Sequence, residues 1–304
     1  MKMNEKISLV FFGSGPVAAE SLRLLTNTFN IEAVVTKPTT EQEMSSACAY
    51  APIFTVKNKM ELDSLIENTE FNSQLAVLID FGIIVNQKVI DYFPLGIINS
   101  HFSLLPELRG ADPISFAILE GKDKTGVSLM LLVEAMDEGP ILTFGEEVIE
   151  KTDTTPTLTG KLIKLSYSLL DHTIPKYLKG EIVPADQNYI SEQFSRYVSY
   201  TRKLAKNDGV IDWNKTAEQI NNEVRAFSGW PKSRTNLNGI DCVIIEVEPI
   251  KESFGNPGTI KVSGKDLAIQ CGNKTALNIK IIKPAGKKEM TAEAFLAGYA
   301  QRLK

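Results

Sequence analysis

The sequence predicts an α/β protein in two parts. A Rossmann-like, mostly parallel sheet domain over residues 1–185 is followed by a polar linker at 186–206 and a small OB-like β-barrel domain over 207–304. Three observations carry this reading. Short apolar runs alternate with helical patterns through the first half, which is how strands buried on both faces by crossover helices read. The second half changes to short strand-like runs separated by Gly, Asn and Lys turns, the pattern of a small barrel of the oligonucleotide-binding kind. Between them residues 184–206 turn polar and irregular, with Asp186-Gln187-Asn188 and Ser191-Glu192-Gln193.

Taken in order, residues 7–12 form a continuous apolar run that stops at Gly13-Ser14-Gly15-Pro16, and residues 17–25 then show helical spacing. That is strand, tight turn and helix. Residues 31–35, 75–79 and 96–99 read as the next strands, with helix-like stretches between them. Two more strands, 127–133 and 141–149, flank the turn Met136-Asp137-Glu138-Gly139-Pro140, and a long amphipathic helix over 156–177 closes the domain. The second domain offers a helix at 216–227 and strands at 242–247, 258–262, 267–271 and 277–282.

Composition narrows the class. The 304 residues are 43 % hydrophobic and 23 % charged, a globular balance that excludes a disordered, collagenous or coiled-coil chain. The start has no apolar targeting segment, and no apolar run approaches the roughly 18 residues that span a bilayer, so a cytoplasmic protein with no membrane partner is expected. Cys48, Cys242 and Cys271 are an odd number without metal-type spacing and read as reduced, buried thiols, with no metal expected. The net charge of -4 hides an asymmetry: residues 201–304 carry 17 Lys and Arg against 11 Asp and Glu. A basic second half on an acidic protein suggests an anionic macromolecular partner, or else a solvated basic face.

Two places invite chemistry. Gly13-Ser14-Gly15-Pro16-Val17-Ala18 matches a dinucleotide-binding turn. However, Thr36-Lys37-Pro38 stands where the second strand should end in an acidic residue, and Pro16 removes an N–H that a pyrophosphate would use. The stronger candidate is Asn99-Ser100-His101 at the end of a parallel strand, where open α/β sheets bind ligands. On an extended backbone Asn99 and His101 point to one side. Asp137, in a neighbouring turn, would supply a carboxylate facing the imidazole. An amide that stabilises an oxyanion and an imidazole held by a carboxylate are equipment for acyl transfer without a protein nucleophile, although a solvated histidine and a turn-forming aspartate would explain each residue separately.

The order Asn99-Ser100-His101-Phe102-Ser103-Leu104-Leu105-Pro106, then Arg109-Gly110-Ala111-Asp112-Pro113-Ile114, then Met136-Asp137-Glu138-Gly139-Pro140 resembles the core of the formyltetrahydrofolate-dependent formyltransferases. The resemblance implies that Asn99, His101 and Asp137 are catalytic and that 10-formyltetrahydrofolate is the co-substrate. It also implies that the segment Ile79-Asp80-Phe81-Gly82-Ile83 contacts the pterin and that Ser103, Leu104, Leu105 and Pro106 line the donor site. In the second half, Tyr200-Thr201-Arg202-Lys203-Leu204, Ile211-Asp212-Trp213, Trp230-Pro231 and the segment from Lys283 to Met290 resemble the methionyl-tRNA formyltransferase branch of that superfamily. This implies initiator methionyl-tRNA as partner, translation initiation as role, and Lys37, Arg109, Lys203, Lys206, Arg225, Lys287 and Lys288 as candidate tRNA contacts on a protein expected to be a monomer. A sugar-amine formyltransferase is the alternative in the same chemistry, and a nucleotide-dependent oxidoreductase and a pure RNA-binding module are those outside it.

One segment departs from the family pattern. After the second strand a longer basic loop is expected, whereas this chain reads Lys37-Pro38-Thr39-Thr40-Glu41-Gln42-Glu43-Met44-Ser45-Ser46-Ala47. It is short and acidic, which leaves Lys37 as the nearby cation and implies that Glu41 and Glu43 point away from any RNA.

Overall fold

The computed structural model describes residues 6–303. The chain packs as two compact units, and each is discontinuous in sequence. The first gathers the chain up to Pro113 with Lys124–Val148 and Thr159–Thr201; the second gathers Ile114–Asp123, Ile149–Leu158 and the chain from Arg202 onward.

The first unit is built on a seven-stranded sheet. Its strands are β1 (Ser8–Gly13), β2 (Asn30–Thr36), β3 (Ile53–Thr55), β4 (Ala76–Ile79), β5 (Ile97–His101), β6 (Lys124–Leu131) and β7 (Ile141–Val148), in the spatial order β3-β2-β1-β4-β5-β6-β7. The first five pair in parallel, and β5–β6 and β6–β7 are antiparallel. Leu9, Val10, Phe11 and Phe12 of β1 are fully buried, so the unbroken apolar run is a central strand covered on both faces. Helices α1 (Gly15–Leu25), α2 (Glu41–Ala47), α3 (Lys59–Asn68) and α4 (Gln87–Tyr92) connect the parallel strands, α5 is Pro113–Leu119, and α6 (Thr155–Leu178) is the long helix expected near 156–177. Because the chain leaves β1 for β2 on one side and reaches β4 on the other, the order reverses at β1, and the crevice at the carboxyl ends of the strands is where this architecture takes ligands.

Two local expectations give way to helices. The acidic segment after Lys37 folds as α2, with Met44 fully buried and Glu41 and Glu43 in the first turn, where negative charge suits the helix dipole. The stretch read as linker holds α7 (Gln187–Phe194), capped by Asp186, whose side chain accepts from the Asn188 N–H. Its polar composition concealed two inward positions: Gln187 is buried, and Ile190 packs with Leu105, Met130 and Ile141. The dinucleotide-like turn is a strand-to-helix turn. A side chain at Gly13 would meet Ala18 and the Ile79 carbonyl, and the Ser14 N–H bonds the Asp80 carbonyl.

The second unit centres on an antiparallel sheet of β8 (Ser233–Leu237), β9 (Ile240–Ile250), β10 (Ile260–Ser263), β11 (Asp266–Gln270) and β12 (Ala276–Pro284), ordered β10-β11-β12-β9-β8, with β13 (Met290–Thr291) beside β12. Two helices pack on it, α8 (Ala217–Ala226) and α9 (Ala292–Leu303). The first begins in a reciprocal Thr216–Gln219 capping box, and the second buries Phe295, Leu296 and Leu303. All three cysteines are free and buried. Burial pushes the Cys242 thiol up to about 11 and the Cys271 thiol to about 12, so both stay protonated at neutral pH. Among the described residues, no helix is long and apolar enough to cross a membrane.

Candidate active site

Strand β5 presents the site. Asn99 pairs with Leu78 on one side and Met130 on the other, and His101 pairs with Ser128, so both sit inside the sheet. Ser100 between them faces the opposite side, where its hydroxyl meets Ser166 Oγ of α6 at 2.7 Å. Alternation therefore turns Asn99 and His101 to the same face. Both are buried, at 7 % exposure each, and no described residue hydrogen-bonds the Asn99 amide, which leaves its donor for a bound molecule.

The segment after β5 supplies the polar frame. Ser103, Leu104, Leu105 and Pro106 are buried beneath the site, and the run is pinned by the Ser128 hydroxyl, which donates to the Ser103 carbonyl and accepts from the Leu105 N–H. Next, the Leu108 carbonyl lies 3.0 Å from His101 Nε2 and the Gly110 N–H donates to Asp137 Oδ2 at 2.7 Å. A carbonyl can only accept, so His101 carries a proton on Nε2 and its Nδ1 is the atom free to take or hand on another. That Nδ1 faces Asp137 Oδ2 at 3.7 Å, outside hydrogen-bond range. The alignment depends on a left-handed Asp137, φ +54°, in the loop between β6 and β7. Gly110 has φ +105°, and a side chain there would strike the Thr201 carbonyl at 2.6 Å, so glycine is required.

Beside this set lies the Ile79-Asp80-Phe81-Gly82-Ile83 segment at the exit of β4. Asp80 and Gly82 both have positive φ, which turns the backbone sharply, and Phe81 is buried edge-on to Phe12. The Asp80 residue keeps contact with solvent, yet its carboxyl loses hydration among its neighbours and is pushed up to about 6; Asp112 adds to the rise and Lys37 opposes it. Lys37 reaches this segment: a Cβ on Gly82 would lie 2.6 Å from its Nζ. Thus the lysine expected near an acceptor stem faces the Asp80–Gly82 turn.

The candidate tRNA contacts divide. Lys203, Lys206, Lys287 and Lys288 are exposed. Arg109 is not: at 8 % exposure its guanidinium donates to Gln187 Oε1 at 3.1 and 2.8 Å and to the Tyr200 hydroxyl at 3.1 Å, and pairs with Glu138 at 3.1 Å. A phosphate would have to displace these partners. Arg225 is half-buried and bonds Asn222 and the Asp153 carbonyl. Sequence reasoning missed Gln187 because its partners are about fifty and eighty positions away in the chain, and no local spacing marks such a residue. Tyr200 stood inside a quoted motif, so it was visible without its role.

Known proteins are similar to this chain along most of its length. The formyl transferase family model matches residues 12–174, and the formyl transferase C-terminal domain matches residues 203–300. The methionyl-tRNA formyltransferase of Bacillus licheniformis is 38 % identical over 80 % of this chain and 75 % of its own length. That of Geobacillus thermodenitrificans is 34 % identical over 97 % of this chain and 95 % of its own. An N-formyltransferase from Helicobacter canadensis, solved with folinic acid and dTDP-3-aminofucose, shares the fold with a TM-score of 0.66 at 20 % identity, over 90 % of this chain and 98 % of that one. With matches to both halves and to full-length relatives, the chain belongs to the methionyl-tRNA formyltransferase family.

Proposed function

We propose that this protein transfers the formyl group of 10-formyltetrahydrofolate to the α-amine of methionyl initiator tRNA, as a monomer in the cytoplasm. What supports the reading most is the meeting of His101 and Asp137 on one short backbone segment, Leu108–Gly110, with His101 on the same strand face as Asn99, whose amide no described residue occupies. The acceptor amine attacks the formyl carbon and a new C–N bond forms. Asn99 donates to the oxygen as it becomes an oxyanion, a task worth several kcal/mol when the donor is held in place. His101 Nδ1 takes the proton that the amine loses and delivers it toward the folate nitrogen as the old C–N bond breaks. Asp137 faces the ring across 3.7 Å and orients it. The folate is a substrate here, and the Asp80–Gly82 turn, with its exposed backbone and Lys37 alongside, suits a flat ring rich in hydrogen-bonding edges. Lys203, Lys206, Lys287 and Lys288 would meet tRNA phosphates.

Radiolabelled formyl transfer tests this directly, with methionyl initiator tRNA and a dTDP-aminosugar offered as competing acceptors. Label is expected on the tRNA alone. Label on the sugar would move the protein to the sugar-amine branch, and label on neither would refute the activity.

A further inference from the structure

Gln187 is 4 % exposed, and its amide is used in full. Nε2 donates to the Asp137 carbonyl at 2.8 Å and to the Gly139 carbonyl at 2.9 Å, while Oε1 accepts from Arg109 Nε and Nη2. Arg109 reaches past it to the Glu138 carboxylate, which also accepts from the Tyr200 hydroxyl at 3.3 Å. Three consecutive loop residues are therefore held, two by the amide and one through the arginine. The loop needs this support. Residues 134–136 ahead of it are exposed, Met136 at 67 %, and Asp137 is in the left-handed region. Moreover the 3.7 Å between Asp137 and His101 spans no hydrogen bond, so the facing pair has to be aligned by the backbone that carries it.

We propose that Gln187 is a positioning residue for formyl transfer: it ties the loop carrying Asp137 to the buried Arg109 and so keeps the Asp137 carboxylate opposite His101. This rests on the role given to Asp137 above. An amide suits the place because it offers two N–H donors to two carbonyls and an oxygen to a guanidinium fork at once. A glutamate would keep the arginine and turn an oxygen toward the carbonyls. A leucine of similar volume would drop all four bonds.

The test measures steady-state formyl transfer from 10-formyltetrahydrofolate to methionyl initiator tRNA by the full-length protein. Gln187→Glu and Gln187→Leu should each lower kcat about ten- to a hundredfold, the scale of a displacement near 1 Å at a reacting group, with both KM values nearly unchanged. In an Asp137→Asn background the Gln187→Glu loss should shrink below about twofold, since a residue that acts through Asp137 has little left to position. Full turnover by Gln187→Glu, a loss carried by KM, or the same loss with and without the Asp137 carboxylate overturns the proposal. If Gln187→Leu does not fold, Gln187→Glu decides. A wild-type protein that transfers no formyl group refutes the functional reading and takes this proposal with it, whereas active wild type beside active variants refutes the positioning role alone.

Discussion

The Asn99 amide and the Asp80 carboxyl stand at opposite ends of what a side chain can reveal. Asn99 is buried and its amide hydrogen-bonds no described residue, yet its polar atoms are not among those sealed from solvent without a partner, so the amide is left open to a ligand at little cost in stability. Asn99→Ala should therefore lower kcat about 10²- to 10³-fold, the measured range for losing one oxyanion donor, and leave the thermal midpoint nearly unchanged. Near-wild-type turnover at saturating substrates would show that the amide does something else. Asp80 advertises itself through its proton. Its carboxyl is raised from 3.8 up to about 6 by lost hydration, so the folded chain holds the proton more tightly than the unfolded chain does. By linkage, its contribution to stability falls as pH rises between those values and stays low above them. Asp80→Asn should match the wild-type melting temperature below about pH 4, gain on it up to about pH 6, and hold a constant lead beyond, as thermal melts across that range would record.

At the scale of elements, the site is a strand end, a turn and a loop whose alignment comes from short backbone contacts. Gly110→Ala places a side chain against the Thr201 carbonyl at a φ of +105° and should cost about 1–3 kcal/mol, read as a shift in the denaturant midpoint, together with a drop in kcat as the N–H that holds Asp137 moves. An unchanged midpoint would mean that the 199–201 segment simply moves aside. The elements divide by how much of their signal is local. Strand β1, the β5 end and helix α6 were legible because burial on both faces, alternation and helical periodicity are local properties of the chain. Helix α7 was not, because its inward positions are a glutamine and one isoleucine among polar neighbours. Short α2 was hidden for the same reason, with Met44 its lone buried side chain. Asn99, His101 and Asp137 could be named from their motif, but the Leu108–Gly110 frame that joins them and the partners that occupy Arg109 exist only after the chain has closed on itself.

At the scale of the whole molecule, charge is parcelled out unevenly, and the exposed lysines of the second unit should act through phosphate contacts. Replacing Lys287 and Lys288 by glutamine should make the log–log salt dependence of tRNA binding shallower by about 1 per lysine and leave the KM for the folate donor alone. A slope that does not change would make these lysines ordinary solvated surface. The discontinuity of the two units reaches further, into how the protein is made. Helix α5 buries Ile114, Ala117 and Ile118, and residues 149–158 hold the carbonyls that Arg225 grips, yet both stretches belong to the unit completed by residues beyond Arg202. On a ribosome, a nascent chain of about 200 residues would already hold the strands of the first sheet while residues 150–155 waited for Arg225 and for the Ala226 carbonyl, their hydrogen-bond partners from chain not yet synthesised. Early release or a stop codon near that point would thus leave the second unit's early stretch at 150–155 without these partners, so the last third of the chain has to emerge before that unit can close.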